Sequence, residues 1–398
     1  MDDMTPDILI SGGGVAGLTA ACAFGTAGFS VLCVDPAPPV TDADSDGADL
    51  RTTAFLQPAI AVLTAAGLWD RLAPHAAALQ VMRIVDAQPG AAGPHRVKDF
   101  DAADISDLPF GWNLPNWLLR REMVARVEEL PDVHFRTGIA TTGLFTREGE
   151  ARVTLSDGSR VKTRLVIAAD GRGSFLREAA GIGVKTTRYG QKALSFAVSH
   201  PVPHDNISIE VHQSGGPFTL VPLPDRNGAP ASAVVWMEAA AEADRLAALP
   251  VAEFDDAMTA RSAGVLGTLH LITRRTAWPI ISQIADRMAG ERLALIAEAA
   301  HVMPPIGAQG LNMSLADIAA LLDLAKARRD GLGDATMLDA YHRARHMDVA
   351  LRVRGVDILN RASMAGAPGL RRLRAGALDA LYALGPVRKT LMRTGLGL

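Results

Sequence analysis

Three glycines and one aspartate near the N-terminus have the spacing of a dinucleotide-binding turn. Gly12, Gly14 and Gly17 form a G-x-G-x-x-G pattern, and Asp35 follows on the next apolar run. The first glycine permits a tight turn, the second lets a pyrophosphate approach the backbone, and the third lets strand and helix pack closely. A carboxylate at Asp35 can accept hydrogen bonds from a ribose hydroxyl. The sequence therefore predicts a dinucleotide site, and glycines that serve only a tight turn are the alternative.

Two later segments place polar groups after apolar runs. Asp170-Gly171 ends the run RLVIAAD, where the acid either caps the following backbone or reaches a cofactor, and Glu298 follows the run RLALIA. A carboxylate at Glu298 suits the hydroxyls of a ribityl chain. The glycine-rich residues 307–312 then open a helix, whose free N–H groups and positive dipole end suit an anionic reduced flavin. These segments favour FAD over NAD, because an NAD enzyme has no ribityl chain to bind.

The elements that must position these residues begin with a β-α-β unit. Apolar strands are predicted at 7–11 and 29–35, with a small-residue helix from Ala16 to Ala27 between them and Gly28 as its C-cap. The unit has the length expected of a dinucleotide-binding motif. Residues 36–51 are rich in Pro, Asp and Gly, which predicts a loop.

Short strands dominate the middle of the chain. Asp157-Gly158 predicts a hairpin, because this pair supplies the positive φ of a tight turn. Alternating apolar runs predict an antiparallel sheet over 186–285. Residues 292–297 return to a buried strand, and the pattern is helical from Leu311 onward.

The expected fold class is α/β, with a Rossmann-type FAD-binding domain, an inserted antiparallel-sheet substrate domain and C-terminal helices. Breaks between the C-terminal helices are predicted near Ala367-Pro368-Gly369 and Gly385-Pro386. The expected division assigns residues 1–80, 112–185 and 286–330 to the FAD-binding domain, 81–111 and 186–285 to the substrate domain, and 331–398 to the C-terminal helical region.

Composition excludes several other classes of protein. Of 398 residues, 48% are apolar and 21% charged, which is typical of a globular chain. The net charge of -3 disfavours a nucleic-acid partner. Cys22 and Cys33 form neither a disulfide framework nor a CxxC metal site, and no metal site is expected. No secretory signal or spanning apolar run is visible, so a cytoplasmic protein is expected.

Taken together, these motifs resemble the flavoprotein aromatic hydroxylases, the class of p-hydroxybenzoate hydroxylase. Within that class the chain is most similar to the ubiquinone-biosynthesis hydroxylases of the 2-octaprenylphenol hydroxylase type. The resemblance covers nearly the whole chain, and its further support is Arg51-Thr52-Thr53-Ala54, Asn116-Trp117-Leu118-Leu119-Arg120 and the run PPIGAQGLNMSLAD ending at Asp317. It implies a monooxygenase that uses FAD, O₂ and either NADH or NADPH to hydroxylate a phenolic ring, with a prenylated phenol of ubiquinone biosynthesis as substrate.

The resemblance also assigns cofactor-binding roles to single residues. Arg51 would contact the FAD pyrophosphate, although an ion pair with the acidic loop is the alternative. Asn116 would contact the flavin, although a helix N-cap explains it equally well. Glu298 would bind the ribityl chain, and Leu311 and Asn312 would offer backbone N–H groups to the flavin pyrimidine. The remaining expected cofactor residues are Gly12, Gly14, Gly17, Asp35, Asp170, Gly171 and Gly310.

The expected catalytic positions are Pro305 and Gly307. Pro305 would lie beside the reacting phenol, with its carbonyl oriented toward the hydroxyl group. His301 is a tempting base, but the resemblance favours a structural role. The chain departs from the family at Ala297-Glu298, where Gly-Asp is usual, and at Ala169, where Gly is usual. A longer acid re-aims the ribityl hydrogen bond, which weakens the expectation of tight FAD retention.

The expected substrate pocket lies between the inserted sheet and the flavin. Its apolar candidates are Val211, Leu220, Val221 and Trp236, together with Phe218 and Val234, and simple core packing is the alternative for all of them. The runs FTLVPL and ASAVVWM contain no arginine that could clamp a carboxylate. This favours a neutral prenylated phenol over p-hydroxybenzoate.

The C-terminal segment is basic. Residues 352–398 contain nine Arg or Lys and two Asp. Such a segment could lie on an anionic membrane or pack on the protein body. The resemblance implies a lipophilic phenolic substrate, a ubiquinone-biosynthesis complex as partner and a location peripheral to the inner membrane.

Alternative functions remain at this point. The first is an FAD-dependent hydroxylase of another aromatic substrate. A reductase of prenyl chains would bind the same FAD without consuming O₂, and an accessory flavoprotein would have no oxygenating activity. A flavin halogenase is disfavoured, because the stretch Thr276-Ala277-Trp278-Pro279-Ile280 lacks the first tryptophan of the Trp-x-Trp-x-Ile run.

Overall fold

The computed structural model describes residues 5–87, 96–213, 215–364, 382 and 384–396. The strands in these ranges are β1 (Ile8–Ser11), β2 (Val31–Asp35), β3 (Thr52–Leu56), β4 (Ala77–Leu79), β5 (Val81–Asp86), β6 (Arg96–Asp101), β7 (Gly111–Pro115), β8 (Val133–Thr137), β9 (Thr141–Arg147), β10 (Glu150–Leu155), β11 (Arg160–Thr163), β12 (Leu165–Ala168), β13 (Val184–Ser199), β14 (Ile207–His212), β15 (Pro217–Arg226), β16 (Ala229–Ala239), β17 (His270–Leu271), β18 (Thr276–Ala285), β19 (Ala289–Gly290), β20 (Leu293–Leu295) and β21 (His301–Val302). The helices are α1 (Val15–Thr26), α2 (Gln57–Ala65), α3 (Trp69–Leu72), α4 (Asn116–Glu128), α5 (Phe175–Ala179), α6 (Ala240–Ala248), α7 (Val251–Arg261), α8 (Gln309–Ala327), α9 (Ala335–Met364) and α10 (Gly385–Leu396).

A parallel sheet forms the first layer, with strands in the order β19-β20-β12-β1-β2-β8, where β19 alone is antiparallel. Every residue of β1 and β12 is buried. These strands therefore read as continuous apolar runs, as expected when helices or other elements cover both faces of a parallel sheet. The β-α-β unit predicted from the N-terminal sequence is confirmed. Because the carboxyl ends of parallel strands meet at one edge, the turns after β1, β2, β12 and β20 lie together.

A large mixed sheet forms the second body, with strands in the order β21-β18-β13-β16-β15-β14-β5-β6 and β17 on the side of β13. Its neighbours pair antiparallel except for β14 and β5. The predicted antiparallel sheet over 186–285 is thus present, and β5 and β6 join it from earlier in the chain. Helices α6 and α7 cover one of its faces with Leu246, Phe254 and Met258.

The remaining strands form two small sheets. The order β3-β7-β4 joins residues before and after β5 and β6, and β9, β10 and β11 form a meander. Gly158 has φ +84° between β10 and β11, which confirms the predicted hairpin. Residues 36–51 contain no helix or strand, in agreement with the predicted loop.

The C-terminal helices pack on both sheets. Helix α8 packs against α1, α2 and α9, and α9 also contacts β18 and β19. Helix α10 begins at Gly385, which agrees with a predicted break there. The other predicted break, at 367–369, lies outside the described residues. Among the helices that are described, none has both the length and the apolar character needed to cross a membrane.

Candidate active site

The turn between β1 and α1 leaves room for a ligand at only one of its three patterned glycines. A Cβ on Gly12 would lie 2.2 Å from the Ala169 carbonyl oxygen, and one on Gly17 would lie 1.8 Å from the Gly12 carbonyl oxygen. A Cβ on Gly14 would meet nothing within 4 Å. Gly14 is also the N-cap of α1, with no side chain capping the helix. An uncapped helix start with open space beside Gly14 is the arrangement that binds a pyrophosphate.

Asp35 stabilises this turn from the end of β2. Its Oδ2 atom accepts a 2.6 Å hydrogen bond from the Gly13 N–H, and Oδ1 accepts one of 2.9 Å from the Ala37 N–H. A carboxylate has about four acceptor positions. Asp35 can therefore hold the glycine turn and still accept a hydrogen bond from a ribose hydroxyl.

Asp170 carries an unsatisfied acceptor beside the same turn. Gly171 has φ +83°, and the Asp170 Oδ2 atom accepts a 3.2 Å hydrogen bond from the Leu176 N–H, so the acid does cap the following backbone. Its Oδ1 atom is buried and has no hydrogen-bond partner in the described part of the chain. Burial raises the pKa of Asp170. This atom is therefore available to accept a hydrogen bond from a polar group of a ligand.

Arg51 and Asn116 meet at an acid of the predicted loop. Arg51 makes two hydrogen bonds to Asp49, of 2.8 and 2.7 Å, and Asn116 Nδ2 donates to the same carboxylate at 3.1 Å. Burial would raise the pKa of Asp49, but the bonds from Arg51 and Asn116 outweigh it and the pKa lies below its usual value. The ion pair weighed as an alternative for Arg51 is therefore present. Its role at the pyrophosphate stays a prediction.

The helix-cap explanation of Asn116 is wrong. Pro115 is the N-cap of α4, and Asn116 is its first residue. The Asn116 Oδ1 atom accepts a 2.8 Å hydrogen bond from the Thr53 hydroxyl. Asn116 thus joins β3, the loop before it and α4.

Glu298 lies in a 3₁₀ turn, Ala297–Ala299, directly after the parallel sheet. Its side chain is half exposed, with Oε2 3.5 Å from the Arg172 Nε atom. Ala297 has φ +55°, a left-handed conformation in which glycine is favoured. The sequence replaces the family's usual glycine with alanine, yet the turn keeps the conformation that glycine would suit.

The start of α8 presents backbone N–H groups. Gly307 has φ +64°, Ala308 is the N-cap with φ 56°, and no side chain caps the helix. Pro305, Gly307 and Gly310 are exposed. The N–H groups of the first helical turn have no intrahelical partner in general, so this end of α8 can donate hydrogen bonds to a ligand.

The side chain of Asn312 connects two elements of the site. Its Nδ2 atom donates to the carbonyls of Ala54 and Ala308, at 2.7 and 2.6 Å, and its Oδ1 atom accepts a 2.8 Å bond from the Leu56 N–H. This side chain fixes β3 against the beginning of α8. The offer of the Leu311 and Asn312 backbone N–H groups to the flavin stays a prediction.

A buried ion-pair cluster connects helix α8 with the turn at Ala297. The sequence analysis did not predict this cluster. His301 Nε2 donates to Asp317 Oδ2 at 2.6 Å, and Arg345 Nε donates to Asp317 Oδ1 at 2.8 Å. Asp317 also accepts a 3.3 Å bond from the Ala297 N–H. His301 is buried inside this cluster, in keeping with the structural role favoured for it. His301 and Asp317 are close enough in the sequence to be considered together. Arg345 lies too far along the chain for a sequence pattern to predict its contact with them.

The two faces of the large sheet separate the predicted substrate residues. Val211, Leu220 and Trp236, with Phe218 and Val234, are buried against α6 and α7. This face lies away from the 303–308 loop, so the expectation that these residues line the substrate pocket is wrong, and the alternative of core packing describes them. Val221 is half-buried and points to the other face, because successive strand residues alternate.

The face toward the loop holds a different apolar cluster, which we call the loop-facing cluster. It contains Ala193, Met237 and Ile280, with Tyr189, Val235, Trp278 and Ile306 packed against them. Ile306 belongs to the loop that carries Pro305 and Gly307. Two features of the sequence predict these faces: the alternation of side chains along each strand, and the amphipathic helix α6 that follows β16 and covers one face.

The fold and the site now define a class. Residues 5–355 match the family model described as an FAD binding domain, and the chain belongs to this family. It is similar to a solved structure of p-nitrophenol 4-monooxygenase from Pseudomonas putida DLL-E4, with a TM-score of 0.79, 19% identity and 98% of each chain covered. At that identity the likeness shows the fold alone.

Sequence comparison is more specific. The chain is 33% identical to the ubiquinone hydroxylase UbiL of Rhodospirillum rubrum, over 99% of this chain and 90% of that protein. It is 26% identical to the 3-demethoxyubiquinol 3-hydroxylase of Escherichia coli, over the full length of both. The chain is an FAD-dependent monooxygenase, and NADH or NADPH is the usual reductant of its family.

The residues present fit FAD. Open space at Gly14, the unsatisfied Oδ1 of Asp170 and the uncapped start of α8 lie at the turns where its polar groups would bind. When bound, the flavin accepts electrons from the nicotinamide and activates oxygen. Among the described residues, no group of His, Cys, Asp or Glu side chains is arranged to hold a metal ion.

Proposed function

We propose that the substrate is a neutral, prenylated phenol of ubiquinone biosynthesis. The loop-facing cluster carries this proposal, because it places Val235, Met237 and Trp278 opposite Ile306. Apolar surface of this kind favours an isoprenoid-bearing ring. The relatives described above, a ubiquinone hydroxylase and a 3-demethoxyubiquinol 3-hydroxylase, support this proposal.

The arginine beside Trp278 of this cluster is already neutralised. The Arg51 guanidinium lies 5.4 Å from the centre of the Trp278 ring, but its two donating nitrogens bind Asp49. A substrate carboxylate would have to compete with Asp49 for this arginine. The pairing therefore favours a neutral phenol.

In this proposal the chain's own residues bind and orient. Gly12, Gly14 and Gly17 shape the pyrophosphate site, with Asp35, Arg51, Asn116, Asp170, Gly171 and Glu298 around the cofactor. Leu311 and Asn312 would offer their backbone N–H groups at the start of α8. Pro305 and Gly307 would lie beside the reacting ring, and the loop-facing cluster would exclude water from it.

We further propose a ubiquinone-biosynthesis complex as partner and peripheral membrane contact through the basic C-terminus. Helix α10 packs on the body through an Arg388–Asp104 ion pair of 3.0 Å, while Lys389 and Arg393 remain exposed. Residues 365–381 of the basic segment lie outside the described part of the chain.

Substrate preference tests the proposal. Three phenols are compared in steady-state kinetics with the FAD-loaded protein: one with a short prenyl chain, one without it, and 4-hydroxybenzoate. We expect kcat/KM to be highest for the prenylphenol by about tenfold or more, since each buried methylene is worth about 0.8 kcal/mol. A preference for the carboxylated phenol would indicate a hydroxylase of another aromatic substrate.

A further inference from the structure

Helix α9 presents an aligned row of exposed aliphatic side chains. Met347, Leu351 and Ile358 are 71, 62 and 67% exposed. Their spacing of four and seven residues places them on one side of the helix. The opposite side, with Tyr341 and Val349, is buried against the body. We call Met347, Leu351 and Ile358 the apolar row; aligned exposure of this kind indicates a contact surface.

Arginines run along one edge of the apolar row. Arg343, Arg354 and Arg361 are exposed and lie at helical spacing from one another. Arg361 pairs with Asp357 at 3.0 Å. Arg343 and Arg354 have no acidic partner among the residues that the structure describes.

The carboxylates of α9 do not offset this edge. Asp339 pairs with Arg287, Asp348 with Arg345 and Arg352, and Asp357 with Tyr189 and Arg361. Each acid is therefore already engaged. The exposed side of α9 combines an apolar centre with net positive charge.

The C-terminal end of this surface adjoins the substrate side of the molecule. A cleft of about 310 Å³ lies there, lined by Arg188, Tyr189, Arg361 and Met364. Tyr189 also packs against the loop-facing cluster. A molecule entering at this end of α9 would therefore meet the apolar face that we propose for the substrate.

We infer that the exposed side of α9 docks on an anionic lipid bilayer. An apolar centre with a basic flank is the pattern of helices that lie in the membrane interface. Anionic headgroups would pair with Arg343 and Arg354, and the cleft would open at the bilayer surface. A second copy fits less well, because a symmetric contact would bring the arginine edges together without acids between them. Docking through α9 deepens the peripheral membrane contact proposed above and rests on that proposal, and the entry of substrate through the cleft rests on the proposed substrate.

Vesicle flotation of the FAD-loaded protein tests the inference. Phosphatidylcholine vesicles are compared with vesicles that also contain phosphatidylglycerol, at low and high salt. We expect binding to the anionic vesicles that salt weakens. Arg343→Gln with Arg354→Gln should lower the partition coefficient about fivefold for each arginine. The triple change Met347→Ser, Leu351→Ser and Ile358→Ser should reduce it about tenfold or more.

A matched control carries Leu108→Ser, Val202→Ser and Val251→Ser, which alter aliphatic residues of comparable exposure elsewhere. It should bind vesicles like the unaltered protein. Absent vesicle binding, or equal binding by the row variant, would overturn the inference. If the unaltered protein is a dimer that does not bind vesicles, and the row variant is a monomer, the surface is a contact with a second copy instead.

Activity separates this inference from the proposed function. Without vesicles, the row variant should hydroxylate a water-soluble short-chain phenol at the rate of the unaltered protein. Loss of that activity would contradict a docking role for the row. If no phenol is hydroxylated by any form, the proposed function fails while flotation still decides the docking.

Discussion

At the residue scale, glycines of one motif serve two purposes. Gly12 and Gly17 are required because a Cβ would collide with backbone oxygens at 2.2 and 1.8 Å. Gly14 has ordinary extended backbone angles and open space in front of it. Of the three, Gly14 alone leaves room for a ligand. A substitution at Gly14 should therefore affect FAD binding, whereas one at Gly12 or Gly17 should affect stability.

Gly14→Glu should fold and lack FAD. Its side chain enters open space but places a negative charge against the pyrophosphate. Gly17→Ala should instead lower the thermal stability of the apoprotein, because neighbouring backbone must move. Flavin absorbance of the purified proteins and thermal unfolding of their apo forms are measured. Full FAD content in Gly14→Glu would contradict the assignment of this turn.

Ala297 shows strain at the turn that precedes α8. The left-handed conformation of Ala297, with φ +55°, costs about 1–2 kcal/mol for a residue with a Cβ. Glycine would relieve this strain, but its greater freedom in the unfolded chain offsets part of the gain. Ala297→Gly should therefore raise stability by about 0.5–1 kcal/mol and tighten FAD binding. Chemical denaturation and flavin release on dilution are the measurements. Ala299→Gly, in the same turn without positive φ, should destabilise; equal effects of both changes would refute the strain.

At the element scale, strand alternation decides which residues can meet a substrate. The side chains of Val234 and Val235 are adjacent in β16 but belong to clusters on opposite faces of the large sheet. Helices α6 and α7 follow β16 directly and cover the Val234 face. The apolar residues of a strand therefore do not show which of its faces meets a ligand. The helices that follow the strand show it, because they cover the other face.

The two valines give a matched pair. Val235→Ala should raise KM for the phenol about five- to tenfold with little change in stability, because it removes apolar contact with the substrate. Val234→Ala should lower the free energy of unfolding by about 2 kcal/mol and leave KM unchanged. Steady-state kinetics and denaturation are measured on both. A larger KM effect at Val234 would show that the substrate lies on the other face.

Helices α8 and α9 are joined through one buried acid. Arg345→Met would leave Asp317, which is wholly buried, without its guanidinium partner. We expect a loss of about 3–5 kcal/mol in the free energy of unfolding, by denaturation. Arg245→Met breaks an exposed ion pair with Glu242 and should change little. Equal effects of the two would contradict the importance of burial.

At the scale of the whole molecule, local patterns predicted the architecture well. The β-α-β unit, the hairpin at Asp157-Gly158, the inserted sheet and the helical C-terminus follow from short-range periodicity and turn chemistry. The family resemblance is confirmed by the match over residues 5–355. Each of these features depends on a short stretch of sequence, so it can be predicted from a single sequence.

Contacts between distant segments were not predictable in this way. The pairing of Asp49 with Asn116, and of Asp317 with Arg345, depends on how separate elements pack. The face of β14, β15 and β16 that meets the loop depends on where α6 and α7 lie. The side chain of Asn312 was missed for the same reason, since its partners Ala54 and Leu56 are in β3.

Isotope labelling tests the central claim most directly. The FAD-loaded protein is supplied with NADH or NADPH, ¹⁸O₂ and a short-chain prenylphenol, and the product is weighed by mass spectrometry. The account predicts a product with one labelled oxygen, formed with consumption of the nicotinamide. Consumption of the nicotinamide with peroxide as the only product, or a reduced prenyl chain without added oxygen, would contradict it.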